Sequence, residues 1–88
     1  MKKVTKWEDS SFVISSTYRK KVLKRLENPT TPSKLSKELE INKTHISRTL
    51  SELESKQLIK CLTPDSKKGR IYKITEYGKE ILEKTIGL

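Results

Sequence analysis

Residues 31–50 read Thr31-Pro32-Ser33-Lys34-Leu35-Ser36-Lys37-Glu38-Leu39-Glu40-Ile41-Asn42-Lys43-Thr44-His45-Ile46-Ser47-Arg48-Thr49-Leu50, a pattern of two helices meeting at a tight turn. Thr31 suits an N-cap, and Pro32 falls at the first helical position, where its missing N–H leaves no bond unmade. Leu35 and Leu39 share a face over roughly two turns. Glu40-Ile41-Asn42 breaks the period, and Asn42 can cap a second helix. Ile41 just before that cap and Ile46 within the helix have the spacing of a hydrophobic staple. Ile46, Leu50 and Leu53 continue one apolar stripe, which carries the helix to about Lys56.

Upstream, Ser15 or Ser16 can cap an earlier helix. In it Tyr18, Val22 and Leu26 recur every fourth residue, with Leu23 beside them, as one buried stripe. Asn28-Pro29 ends this helix, because proline disfavours helical geometry in the residue before it. Residues 1–14 form an N-terminal arm, irregular at first and then apolar. Its Trp7, Phe12, Val13 and Ile14 are expected to pack on the domain or on a partner subunit.

Downstream the period shortens. Leu58-Ile59-Lys60-Cys61-Leu62 and Arg70-Ile71-Tyr72-Lys73-Ile74 read as strands. The basic, turn-forming run Pro64-Asp65-Ser66-Lys67-Lys68-Gly69 joins them. Thr75 then caps a last helix bearing Tyr77, Ile81, Leu82 and Ile86. The expected fold is mainly α with a small β-hairpin. It is a winged helix-turn-helix with a three-helix core, a wing and a C-terminal helix, in one domain over residues 15–88.

Composition narrows the function. A chain of 88 residues buries only about 60–65% of its unfolded surface, enough for one core and too little for a deep catalytic pocket. Twenty Lys and Arg against eleven Asp and Glu give a net charge of +9 and an isoelectric point near 9.8, a field that attracts polyanions. A merely lysine-rich surface has the same balance, so charge has to be joined to shape. The single Cys61 cannot close an internal disulfide and fits a reducing cytoplasm. No apolar run approaches the ~18 residues of a membrane span. Nor does an apolar signal-peptide core follow Met1-Lys2-Lys3. A cytoplasmic protein without membrane association is expected.

Shape supplies the rest. The DNA major groove, about 12 Å wide, accepts one α-helix, and the N-terminal residues of an inserted helix reach the base edges. Opposite Ile46, Leu50 and Leu53, the helix from Asn42 displays Thr44, Ser47, Arg48 and Ser51, with His45 at the margin and Lys43 in the first turn. Arg48 can bond guanine O6 and N7 together. Each of these residues is equally at home on the wet face of an amphipathic helix, but as a set they carry no carboxylate until Glu52. Lys67, Lys68 and Arg70 around Gly69 suit a wing that grips phosphate or enters the minor groove, although a solvated turn has the same composition. The expected partner is double-stranded DNA.

These segments resemble the winged-helix regulators of the MarR and ArsR type. The resemblance runs through residues 31–39 and 41–50, Leu53 and Leu58-Ile59. It continues in Ile74-Thr75-Glu76-Tyr77-Gly78-Lys79-Glu80-Ile81-Leu82, which is similar to the LTxxGxxxL segment after the wing in that group. It covers roughly residues 15–86. It implies a recognition helix at 42–56, a wing at 64–70 and a homodimer working on a pseudopalindromic site. Glu40 and Gln57 stand where glycines are usual, so Gln57 must take up helix-ending geometry with a side chain. The cysteine pair with which many ArsR-type sensors bind metal is absent.

Other functions find little support. One His and one Cys on different elements do not make a metal site, and no metal or cofactor is expected. No nucleophile–base pair, phosphate-binding glycine loop or dinucleotide fingerprint points to an enzyme. Cys61 is expected to be a small buried filler, and no small-molecule effector is evident. The alternative is a winged-helix protein- or RNA-interaction module in a larger assembly. A homodimer through the terminal segments is expected, since Trp7, Phe12, Ile81, Leu82, Ile86 and Leu88 exceed what one small core obviously needs.

Overall fold

A computed structural model describes residues 6–66 and 69–85. In chain order the elements are α1 (Lys6–Ile14), α2 (Thr17–Arg25), α3 (Pro32–Leu39), α4 (Lys43–Ser55), β1 (Ile59–Cys61), β2 (Tyr72–Ile74) and α5 (Glu76–Lys84). The architecture is the expected winged helix-turn-helix, with one helix added in front of it.

That added helix, α1, lies where the sequence suggests an arm. Its inward side carries Asp9, Ser10 and Val13, all buried. A helical spacing hidden beneath polar side chains leaves no apolar period to read. Phe12 packs half-buried against the core, whereas Ile14 is exposed.

The predicted caps are present. Ser16 Oγ accepts from Arg19 N at 3.5 Å, Thr31 Oγ1 from Lys34 N at 3.3 Å, and Asn42 Oδ1 from Thr44 N at 2.8 Å. Each side chain satisfies one of the amides that a helix start leaves unbonded. On α2, Val22, Leu23 and Leu26 are fully buried, but Tyr18 is exposed and does not belong to the buried stripe. It stands at the start of the helix, beside α4.

The α3–α4 turn and the end of α4 both pass through the left-handed region at non-glycine residues, Glu40 (φ 55°) and Gln57 (φ 63°). After Glu40, the Ile41 amide donates to Ser36 O at 3.1 Å. Around Gln57, Leu58 N donates to Leu53 O at 3.0 Å and Gln57 N to Glu54 O at 2.9 Å. These two bonds form the double closure of a Schellman motif. Ile41 and Ile46, the staple pair, are both buried.

Strands β1 and β2 pair antiparallel, Ile59 with Ile74, Lys60 with Lys73 and Cys61 with Tyr72. They are shorter than the sequence pattern suggests, and Leu62 is exposed. Thr30 adds one bridge on the other side of β2, where Thr30 N donates to Tyr72 O at 3.2 Å and Tyr72 N to Thr30 O at 2.9 Å. Ile74 N donates to Leu26 O at 2.9 Å, so the hairpin is fastened to the end of α2.

Helix α5 begins on Thr75, whose Oγ1 accepts from Gly78 N at 2.9 Å and donates to Gln57 O at 2.8 Å. The helix passes so close to the chain entering β1 that Gly78 has no room for a side chain. A Cβ there would overlap the Leu58 carbonyl oxygen and lie 2.7 Å from Ile74 Cγ1. Ile81 and Leu82 complete the core, and Cys61 packs against it half-buried. Ile86 and Leu88 lie outside the described residues, as does the Trp7 side chain.

Candidate nucleic-acid interface

Helix α4 is anchored by one face and free on the other. Ile46, Thr49, Leu50 and Leu53 are buried, which turns Lys43, Thr44, His45, Ser47, Arg48 and Ser51 to solvent. All six residues expected to read DNA from this helix are therefore exposed on it. Among the described residues, the side chains of Lys43, Thr44, Ser47, Arg48 and Ser51 have no hydrogen-bond partner.

The first carboxylate on this surface is already taken. Arg19 Nε donates to Glu52 Oε1 at 3.0 Å. Hydrogen bonding from Arg19, together with the charges of Arg19 and Arg48, holds the Glu52 carboxyl below the usual carboxylate range. Arg19 is itself fixed, since its Nη1 donates to Phe12 O at 2.9 Å and to Ser15 Oγ at 2.8 Å. Its guanidinium lies 4.0 Å from the Phe12 ring centroid. One arginine thus joins α1, α2 and α4 and draws Glu52 to the side of the helix facing α2. The exposed face of α4 carries no carboxylate before that point.

The root of the wing is set by Thr63. Its Oγ1 accepts from Ile71 N at 3.1 Å, its carbonyl accepts from Ser66 N at 3.1 Å, and Leu62 N donates to Ile71 O at 2.7 Å. Gly69 takes φ 65° with no atom within 4 Å of where a Cβ would stand, so this glycine answers to backbone conformation alone. Arg70 is exposed, and its Nε donates to Ser66 O at 3.0 Å. The Tyr72 phenol raises the guanidinium pKa, with a smaller contribution from Glu54. Lys67 and Lys68 lie outside the described residues. On the solvent face of the hairpin Lys60 stands opposite Lys73, a like-charge pairing that destabilises an isolated sheet.

Two features have no counterpart in the sequence pattern. Tyr18 lies beside His45, their ring centroids 5.4 Å apart. Behind α4, Asp9 is buried and accepts a short hydrogen bond from the Tyr77 hydroxyl, with Lys56 Nζ 3.8 Å from its other oxygen. Burial, and then the Asp9 carboxylate, push the Tyr77 hydroxyl up to about 12. Glu8 and Asp9 stand side by side in this segment, and nothing in the sequence marks Asp9 as the buried one.

Among the described residues no group of three His, Cys, Asp or Glu is placed to hold a metal. No described helix is long and apolar enough to cross a membrane.

Three helices, a tight α3–α4 turn with an exposed second helix, and a hairpin fastened beside it define a winged helix-turn-helix domain. The chain belongs to the HVO_A0261 N-terminal domain family, which it matches over residues 7–88. No curated protein matches it in sequence. Among solved structures it is similar to the reduced form of MarR from E. coli, with 30% identity, a TM-score of 0.72, and coverage of 89% of this chain and 60% of that one. The apo form of wild-type MarR from E. coli gives 26% identity and a TM-score of 0.74 over 88% and 60% of the two chains. The transcriptional regulator Tm0710 from Thermotoga maritima shares the fold, at 23% identity and a TM-score of 0.72 over 88% and 59%. The chain spans about half the length of other relatives, such as ZitR of Lactococcus lactis, of which it covers 50%. Its fold is that of the MarR-type regulators.

Proposed function

We propose that this domain is a sequence-specific double-stranded DNA-binding module of a transcriptional regulator, with α4 in the major groove and the wing, residues 64–70, on the backbone or in the minor groove. The observation that carries this reading is the outer face of α4. It is a row of exposed polar and cationic side chains, of which Lys43, Thr44, Ser47, Arg48 and Ser51 make no hydrogen bond within the described residues, and its first carboxylate is tied down by Arg19. In water these groups bond to solvent, and against base edges and phosphates the same donors and cations meet complementary acceptors. Several relatives in fold are transcription regulators, one of them a multiple antibiotic resistance repressor, which favours the same reading.

Arg48 is assigned to a guanine edge. Thr44, His45, Ser47 and Ser51 are assigned to shorter contacts that let the helix sit deep. Lys43, Lys67, Lys68 and Arg70 are assigned to phosphate or the minor-groove wall. The opposed Lys60 and Lys73 fit the same field, since a nearby polyanion relieves their repulsion. We place the domain proper at residues 15–88, with the arm before it folded as α1 onto its core. The working form is a homodimer through the terminal segments, whose two-fold axis matches two half-sites. A cytoplasmic setting follows from the lone thiol and the DNA partner.

The experiment is selection from a random-sequence duplex pool at several salt concentrations. Enrichment of a short inverted repeat, with affinity falling steeply as salt rises, is the expected result. Salt-sensitive retention without enrichment would replace specific regulation by architectural binding. No retention at moderate salt would point instead to a protein- or RNA-interaction module.

A further inference from the structure

Spacing assigns Tyr18 to the buried stripe of α2, yet it keeps 38% of its surface exposed while Val22 and Leu23 have none. Its ring packs on His45 instead, centroids 5.4 Å apart and planes inclined at 52°, a tilted arrangement of the kind aromatic pairs favour. The Tyr18 hydroxyl has no hydrogen-bond partner among the described residues. The next residue, Arg19, grips Glu52. Two successive side chains of α2 therefore hold two side chains of α4, both on the flank of its groove-facing surface. Arg19 draws an acid away from that surface, and Tyr18 fixes an imidazole at its margin.

We propose that Tyr18 is a positioning residue for base readout. Its ring restricts the rotamers of His45 in the first turns of α4, so that the imidazole meets the groove already oriented. This inference rests on the DNA-binding reading above and goes beyond it by giving α2 a part in specificity. The physical reason is entropic. An exposed histidine at the start of a helix samples several orientations, and ordering it on binding costs affinity. A ring already packed against it on the α2 side lowers that cost. His45 stays exposed, so its nitrogens remain available to a partner.

The test uses the site selected by the unaltered chain and a panel of its single-base variants, with thermal unfolding as a control on folding. Tyr18→Phe keeps the ring and should keep the affinity profile. Tyr18→Leu keeps apolar bulk without the ring. It should weaken the best site about two- to tenfold, the scale of ordering one side chain, and flatten preference at a single base pair. His45→Ala should flatten the same base pair, and the double variant should lose no more than His45→Ala alone. A Tyr18→Leu loss that is equal across the panel, or that adds fully to the His45→Ala loss, would overturn the inference. So would an unchanged profile in either single variant. If Arg48→Ala alters base preference while Tyr18→Leu does not, the groove assignment stands and only this inference fails. If the unaltered chain selects no sequence, both fail together.

Discussion

Gln57 stands at φ 63°, in the left-handed region, where an L side chain costs about 1–2 kcal/mol and glycine does not. The bonds that close the helix there come from backbone atoms, Gln57 N to Glu54 O and Leu58 N to Leu53 O. Its carbonyl accepts from Thr75 Oγ1. None of these needs the glutamine side chain. Gln57→Gly should therefore stabilise the domain by about 0.5–1 kcal/mol, after allowing for the extra freedom of the unfolded chain, measured as a higher urea midpoint at constant slope. Gly78 has the opposite requirement, because space rather than conformation excludes a side chain. Gly78→Ala meets backbone at Leu58 and a core methylene at Ile74, and should cost about 1–3 kcal/mol or more in the same measurement. Gln57 and Gly78 are thus distinguishable by the sign of the change.

Helix α1 is attached to the rest of the domain by polar groups as much as by apolar ones. Val13 enters the core, the Phe12 ring meets both Arg19 and Lys56, and buried Asp9 meets Tyr77 and Lys56. Removing the Tyr77 hydroxyl leaves a buried carboxylate short of a donor, so Tyr77→Phe should cost about 1–3 kcal/mol. The pH dependence has a definite sign. The Tyr77 pKa is raised from 10.0 to about 12 in the folded state, so folding favours the protonated phenol. Its contribution is complete below pH 10 and is lost as pH rises from there through 12. The difference in melting temperature between the unaltered protein and Tyr77→Phe should be constant below pH 10 and shrink above it. A difference that does not change with pH would remove Tyr77 from the latch.

At the scale of the whole molecule, the segments legible in the sequence are those whose causes are local. Thr31-Pro32, Asn42, Ser16 and Thr75 form caps within three residues of themselves, and Ile46, Leu50 and Leu53 repeat with the helix. What stayed hidden depends on contacts between distant segments. Thr30 becomes a strand bridge only because Tyr72 is brought beside it. Tyr18 fits an apolar period but packs on His45 at the edge of α4 and stays partly exposed. Helix α1 escapes a hydrophobic pattern because its inward side includes Asp9 and Ser10. Within the candidate site, the six α4 residues were legible as an exposed face. The neutralisation of Glu52 by an arginine 33 positions away was not. Assembly belongs to this scale as well. Sedimentation over a dilution series should show a dimer that dissociates at low concentration, and monomer mass throughout would exclude the homodimer.

The outer face of α4 as the reader of bases is the central claim, and Arg48 tests it most directly. The measurement is the affinity of Arg48→Ala across single-base variants of the selected site, at one fixed salt concentration. The expected result is a loss of about 1–3 kcal/mol on the best site and relaxed preference at one base position, with the other positions unchanged. A variant that binds more weakly but keeps the full sequence preference would contradict the claim, and would place Arg48 on phosphate and the reading of bases elsewhere.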